Sequence, residues 1–80
     1  MKENVVLSKL IEEKRAKVAE IIQTARLQRG WSQEELAERT GLQRQTIGKI
    51  EACRYSPNAD ILYVLLDCLN LTLKIGNEKI

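Results

Sequence analysis

Residues 33–54 read QEELAERTGLQRQTIGKIEACR. Two short runs with helical spacing flank one glycine, Gly41. Counted from Gln33 as position one, Ala37 is fifth, Gly41 ninth, Ile47 fifteenth and Ile50 eighteenth. Each has a physical use. Ala37 is small enough for the first helix to cross closely over the second. Gly41 supplies positive φ in a tight turn without steric cost. Ile47 and Ile50 share one side of the second helix and can anchor it to a core. The other side is left to Arg44, Gln45, Gly48 and Lys49. The four features in register predict two packed helices joined by a tight turn, the second presenting a polar face.

Outward from this stretch the punctuation is clear. Ser32 and Glu35 form an S-x-x-E capping box that opens a helix at Gln33 and runs to Thr40. A further helix is expected over 44–52. Gly30 ends the preceding helix as a left-handed C-terminal residue does. From Leu7 to Arg29 there is neither Gly nor Pro, and Leu7, Leu10, Ile11, Val18, Ile22 and Ala25 recur at helical spacing. Residues 1–15 are read as a helical extension, with three forms open: a separate helix, a continuation of the next one, or a short strand at Val5-Val6-Leu7. Tyr55-Ser56-Pro57 is a loop. Asn58 caps a last helix, about 59–69, with Asp60 favourable in its first turn, and Asn70 can end it. Leu71-Thr72-Leu73-Lys74-Ile75 alternates apolar and polar, a strand signature. The chain divides into an N-terminal helical extension at 1–15, a helical domain at 16–70 and a C-terminal strand and tail at 71–80. The fold class is all-α: a bundle of four to five helices plus one short C-terminal strand.

Eighty residues make one domain. A chain of this size buries only about 60% of its unfolded surface, so association would add useful stability. With no Phe, the core must be built from Leu, Ile, Val and Ala, which suits packed helices. The net charge of +2 is weak evidence for nucleic acid by itself. Its distribution says more. Residues 26–56 carry Arg26, Arg29, Arg39, Arg44, Lys49 and Arg54 against Glu34, Glu35, Glu38 and Glu51, whereas 57–80 carry Lys74 and Lys79 against Asp60, Asp67 and Glu78. The acids of the middle region gather mostly on one helix, so its basic groups can share a face.

Catalysis finds little support. There is no His, no Cys–His or Ser–His pairing and no Gly-rich phosphate loop. Two cysteines without histidine cannot make a four-ligand zinc site, so no metal or cofactor is expected, and Cys53 and Cys68 read as small apolar packing residues. No run reaches membrane-span length and no signal peptide is visible, which suggests a cytoplasmic protein. Gln43, Arg44, Gln45 and Lys49 point instead to DNA. Arg pairs bidentately with guanine O6/N7, and Gln suits adenine N6/N7.

The stretch R-L-Q-R-G-W-S-Q-E-E-L-A-E-R-T-G from Arg26 to Gly41, with T-I-G-K-I-E from Thr46 to Glu51, resembles the phage repressor and Cro family, the Xre-type helix-turn-helix proteins. The resemblance spans about Val18 to Leu69 and leaves residues 1–15 uncovered. It implies a lambda repressor-like bundle that binds double-stranded DNA as a homodimer and regulates transcription, most simply as a repressor. Carried over by position, Gln43, Arg44, Gln45 and Lys49 would contact bases, and Gln33, Arg29, Thr46 and Arg54 phosphates. Arg26 and Glu51 match a structural ion pair tying the first helix to the recognition helix. Two positions depart from the family pattern. Gly48 replaces a larger residue, and Cys53 stands where Gly is frequent.

The last expected helix is apolar around nearly its whole circumference. Leu62, Leu65, Leu66 and Leu69 can face the core of one chain, which leaves Ile61, Val64 and Cys68 to be covered. A lone strand also leaves backbone groups unpaired. A two-fold axis answers both: a dimer interface of Ile61, Val64, Cys68, Leu71, Leu73 and Ile75, with the strands pairing antiparallel. The alternatives are pairing of Val5–Leu7 with the tail, or a disordered tail. The combination is also similar to HipB-like antitoxins, so the runner-up is an antitoxin that binds a toxin protein and represses its own operon.

Overall fold

The computed structural model describes residues 2–80, with side chains from residue 6 onward; Met1, part of the N-terminal segment, lies outside the described residues. With nothing to break it between Lys2 and Gln28, the N-terminal segment forms one continuous helix, α1 (Lys2–Gln28). The extension at 2–15 is therefore the first half of α1, neither a separate helix nor a strand at Val5–Leu7. Then follow α2 (Gln33–Thr40), α3 (Arg44–Glu51), α4 (Ala59–Cys68) and a small hairpin of β1 (Lys74–Ile75) and β2 (Glu78–Lys79).

The helix ends follow from named residues. After α1, Gly30 takes φ +70. Its N–H donates to Leu27 O at 2.9 Å and that of Trp31 to Arg26 O at 3.2 Å, the two bonds of a Schellman turn. Asn70 closes α4 in the same way, with φ 55 and Leu71 N–H on Leu66 O at 2.8 Å. Ser32 Oγ accepts from Glu35 N–H at 3.0 Å and Asn58 Oδ1 from Ile61 N–H at 2.9 Å. Only half of the expected capping box forms, because the Glu35 carboxylate turns to Arg39, 3.6 Å away.

Cys53 is the costly end. It closes α3 with φ 63, donating to Ile50 O at 3.0 Å, while Arg54 N–H donates to Lys49 O at 2.9 Å. A side chain in this conformation costs about 1 kcal/mol or more, and glycine would relieve it at some cost in unfolded-state entropy. Cys53→Gly is expected to stabilise the fold by about 0.5–1 kcal/mol, read as a rise in midpoint by thermal denaturation. An unchanged or lower midpoint would show that the turn carries no strain.

The core lies where α1, α2, α3 and α4 meet: Ile22, Ala25, Leu36, Ala37, Ile47, Ile50, Leu65 and Leu69 are all buried in it. Ile61 and Cys68 of α4 also pack against this cluster, half-buried, together with Leu71. Of the three α4 residues expected to lack cover, only Val64 is exposed, beside Tyr63.

The strand expectation needs a correction. Lys74 pairs with Lys79 and Ile75 with Glu78, antiparallel, and Ile80 N–H donates to Leu73 O at 2.7 Å. The strand is shorter than 71–75 and finds a partner inside its own chain. Gly76 (φ 62) and Asn77 make the two-residue turn, with Gly at its first central position as a type II′ hairpin requires.

Candidate nucleic-acid interface

The site is built on an ion pair. Arg26, near the end of α1, is buried, and its guanidinium donates Nε to Glu51 Oε2 at 2.8 Å, Nη2 to Glu51 Oε1 at 2.9 Å and Nη1 to Trp31 O at 2.6 Å. Glu51, at the end of α3, has only 2% of its side chain exposed. It also accepts from Gln33 Nε2 at 3.1 Å and Gln23 Nε2 at 3.3 Å. Burial pushes the Glu51 carboxyl up, but hydrogen bonds from Arg26, Gln33 and Gln23 and the Arg26 charge outweigh it and hold the pKa below the usual carboxylate value. The same hydrogen bond raises Arg26. One carboxylate therefore fixes α1, the first residue of α2 and the last of α3 together.

Gln33 gains a defined orientation from this. One of its two Nε2 hydrogens goes to Glu51, which leaves the second to donate outward. Its Oε1 faces Gly48, where an added Cβ would lie 3.6 Å away, an ordinary contact. Gly48→Ala should thus fit and, by helix propensity, stabilise by about 0.5–1 kcal/mol. DNA affinity should stay within about twofold. A stabilised protein with clearly weaker DNA binding would show instead that Gly48 is there to bring backbone close to DNA.

Gln43, Arg44, Gln45 and Lys49 are all exposed on or just before α3, while Ile47 and Ile50 are buried behind them. Gln43 is the N-cap residue of α3 but makes no side-chain cap bond, so its amide is not committed to the helix. Arg44 Nε lies 4.0 Å from Glu34 Oε1, with both side chains largely in solvent. Such a pair is worth about 0–1 kcal/mol and does not commit Arg44. Thr46 is half-buried and Arg54 exposed. Arg29 is engaged elsewhere: its guanidinium donates to Ala25 O at 3.0 Å and to Leu69 O, and it lies 5.7 Å from the Trp31 ring. It ties α1 to the C-terminal end of α4.

Three contacts carry no sequence expectation. Arg39 stacks over Trp31 at 4.1 Å, covering the turn between α1 and α2. Gln23 joins the Glu51 cluster through its amide. Arg15 Nε donates to Ser56 Oγ at 2.6 Å, fastening the upper part of α1 to the loop after α3. Among the described residues, no group of His, Cys, Asp and Glu is placed to hold a metal ion, and no helix is long and apolar enough to cross a membrane.

Residues 22–75 match the family model of the helix-turn-helix family HTH_3. No match was found among curated proteins. Among the solved structures that are similar are the following three. A wild-type restriction-modification controller protein is 30% identical at a TM-score of 0.67, covering 71% of this chain and 73% of the other. A hypothetical transcription factor from Neisseria is 32% identical at 0.69, covering 71% and 66%. An HTH_3 family transcriptional regulator from Vibrio cholerae shares the fold at 0.72, with 24% identity, 76% of this chain and 34% of that one. With well over half its length matched and Gly41 closing α2 at φ 76 in the turn before α3, the chain belongs to the HTH_3 family of helix-turn-helix proteins, the Xre and Cro type of DNA-binding regulator.

Proposed function

We propose that the protein is a sequence-specific repressor that reads the major groove with α3 and acts as a homodimer. The observation carrying this reading is the division of α3 into a buried face, Ile47 and Ile50, and an uncommitted polar face, Arg44, Gln45 and Lys49, preceded by Gln43. Gln33 would present its free N–H, with its backbone N–H at the positive end of α2, to a phosphate. Thr46 and Arg54 would flank it on the backbone; such contacts set register without reading sequence. Arg29, already bonded to two carbonyls, is left out of that set. The dimer would use exposed Val64 and Ile75, with Leu71 and Leu73 and the edges of Ile61 and Cys68, so that two recognition helices reach half-sites about one DNA turn apart.

The antitoxin reading keeps the same DNA interface and adds a toxin protein as partner. Co-purification of a second protein with the tagged chain would favour it.

Arg44→Ala should weaken operator binding by about 1–3 kcal/mol and relax preference at one base position. Band-shift titration against genomic fragments at fixed salt, with the selected site varied base by base, checks this. Wild-type affinity and preference in the variant would remove Arg44 from the reading face.

A further inference from the structure

The upper half of α1 is the part of the molecule that the DNA-binding reading does not use, and the family match begins only at residue 22. The helix face that buries Ile22 and Ala25 continues upward through Val18 to Ile11 and Leu10, which are 44% and 46% exposed. Between this face and the body lies a cleft of about 250 Å³. Its walls are Leu10, Ile11 and Val18 on one side and Pro57 and Leu62 on the other, with Ile50 of α3 beneath. Two cations, Lys14 and Arg15, stand at its rim with Ser56, and among the described residues no acidic one lines it. Glu12 and Glu13 fall on the far side of α1 at 3.6 residues per turn. Arg15 uses Nε on Ser56; its two Nη groups have no hydrogen-bond partner among the described residues.

We propose that this cleft binds a small aliphatic carboxylic acid, its chain against the apolar walls and its carboxylate at Lys14 and Arg15. The volume lies just under the roughly 300 Å³ where ligand pockets usually begin, room for one short chain of about ten carbons. A guanidinium with free Nη groups suits a carboxylate in particular. A second copy of this chain fits less well. A stable interface needs about 800 Å² from each partner, and a two-fold copy would bring Lys14 and Arg15 towards their own counterparts.

The cleft also touches the DNA-binding parts. Its base is Ile50 of α3, and Ser56 and Pro57 follow Arg54 closely in the chain. A carboxylate on the two Nη groups draws the Arg15 guanidinium toward the cleft, pulls Nε away from Ser56 Oγ and loosens the loop that carries Arg54. Ligand binding therefore weakens operator affinity, a coupling that rests on the DNA-binding reading above.

The test separates the two. Without DNA, the full chain is titrated calorimetrically with decanoate and with decanol. Decanoate is expected to bind with a Kd of about 0.1–1 mM, Lys14→Glu to weaken it about tenfold, and decanol to be indifferent to the substitution. Amide shifts should gather at Leu10, Ile11, Val18 and Leu62. No saturable binding, equal binding of acid and alcohol, shifts elsewhere, or burial of the cleft by a second copy at high protein concentration would each overturn the site. Band shifts with and without saturating decanoate then test the coupling. Unchanged affinity for a DNA fragment that is bound overturns the coupling, while failure to bind any DNA counts against the repressor reading and leaves the calorimetric result standing.

Discussion

Glu51→Ala is expected to remove about 3–5 kcal/mol of folding stability, because it leaves the buried Arg26 guanidinium without its counter-charge. A chain of this size has only about 4–12 kcal/mol in total, so the variant should stand near the edge of unfolding at room temperature. The substitution loosens three elements together: Arg26 on α1, Gln33 opening α2, and α3 itself all meet at that carboxylate. A pH signature separates this from simple loss of packing. Glu51 has a lower pKa folded than the usual carboxylate value. Its stabilisation is therefore complete above the unfolded value, about 4.3, and is lost as pH falls below that through the folded value. Guanidinium denaturation at neutral pH should show the full gap between wild type and variant, and the gap should narrow as the buffer is taken below about pH 4. Replacing both partners, Arg26→Met with Glu51→Leu, should recover most of the loss. A single variant within about 1 kcal/mol of wild type, or a gap independent of pH, would show that the cluster does not hold the helices together.

The sequence already carried the helices, because their ends are chemical: Ser32, Asn58, Gly30, Gly41 and Asn70 each do at the backbone what their type allows. It also carried the polar face of α3, since Ile47 and Ile50 fix which side turns inward. It left the form of residues 1–15 open because an apolar spacing without Gly or Pro says helix but does not say where the body ends. The hairpin is also legible, at Gly76-Asn77. Gly76-Asn77 between two short alternating runs is a two-residue turn signal, and it supplies β1 with its partner. Arg29 shows a different limit. A basic residue at a helix end can meet a phosphate or a carbonyl, and no local pattern reveals that Leu69 O comes within its reach. Gln23 and Arg15 likewise act across turns of the fold that sequence spacing does not encode.

The hairpin also changes how the proposed dimer is best tested. Deleting residues 71–80 would remove Leu71, which packs on the core, and so would confuse lost folding with lost association. Val64→Glu avoids this. Val64 is 41% exposed in the middle of α4, with Tyr63 46% exposed beside it, so a carboxylate there is tolerated by one folded chain and is costly between two. The hairpin still leaves a route for strand pairing. In an antiparallel ladder alternate residues face opposite edges. Leu73 accepts from Ile80, so the backbone groups of Lys74 point to the open side of β1, where a second copy can add. Val64→Glu should therefore sediment as a monomer at tens of micromolar, with unchanged helical content by circular dichroism. Its affinity for a palindromic site should fall by about 10²–10⁴-fold, because the second half-site is no longer held at high effective concentration. Affinity for an isolated half-site should not change, since α3 is untouched. Ile75→Glu, 67% exposed on the hairpin, should act in the same direction if the β1 edges pair. A Val64→Glu chain that remains dimeric and keeps its affinity for the palindrome would move the interface off α4 altogether. The exposed stretch of α1 from Val6 to Ile11 would then be the apolar surface left to examine.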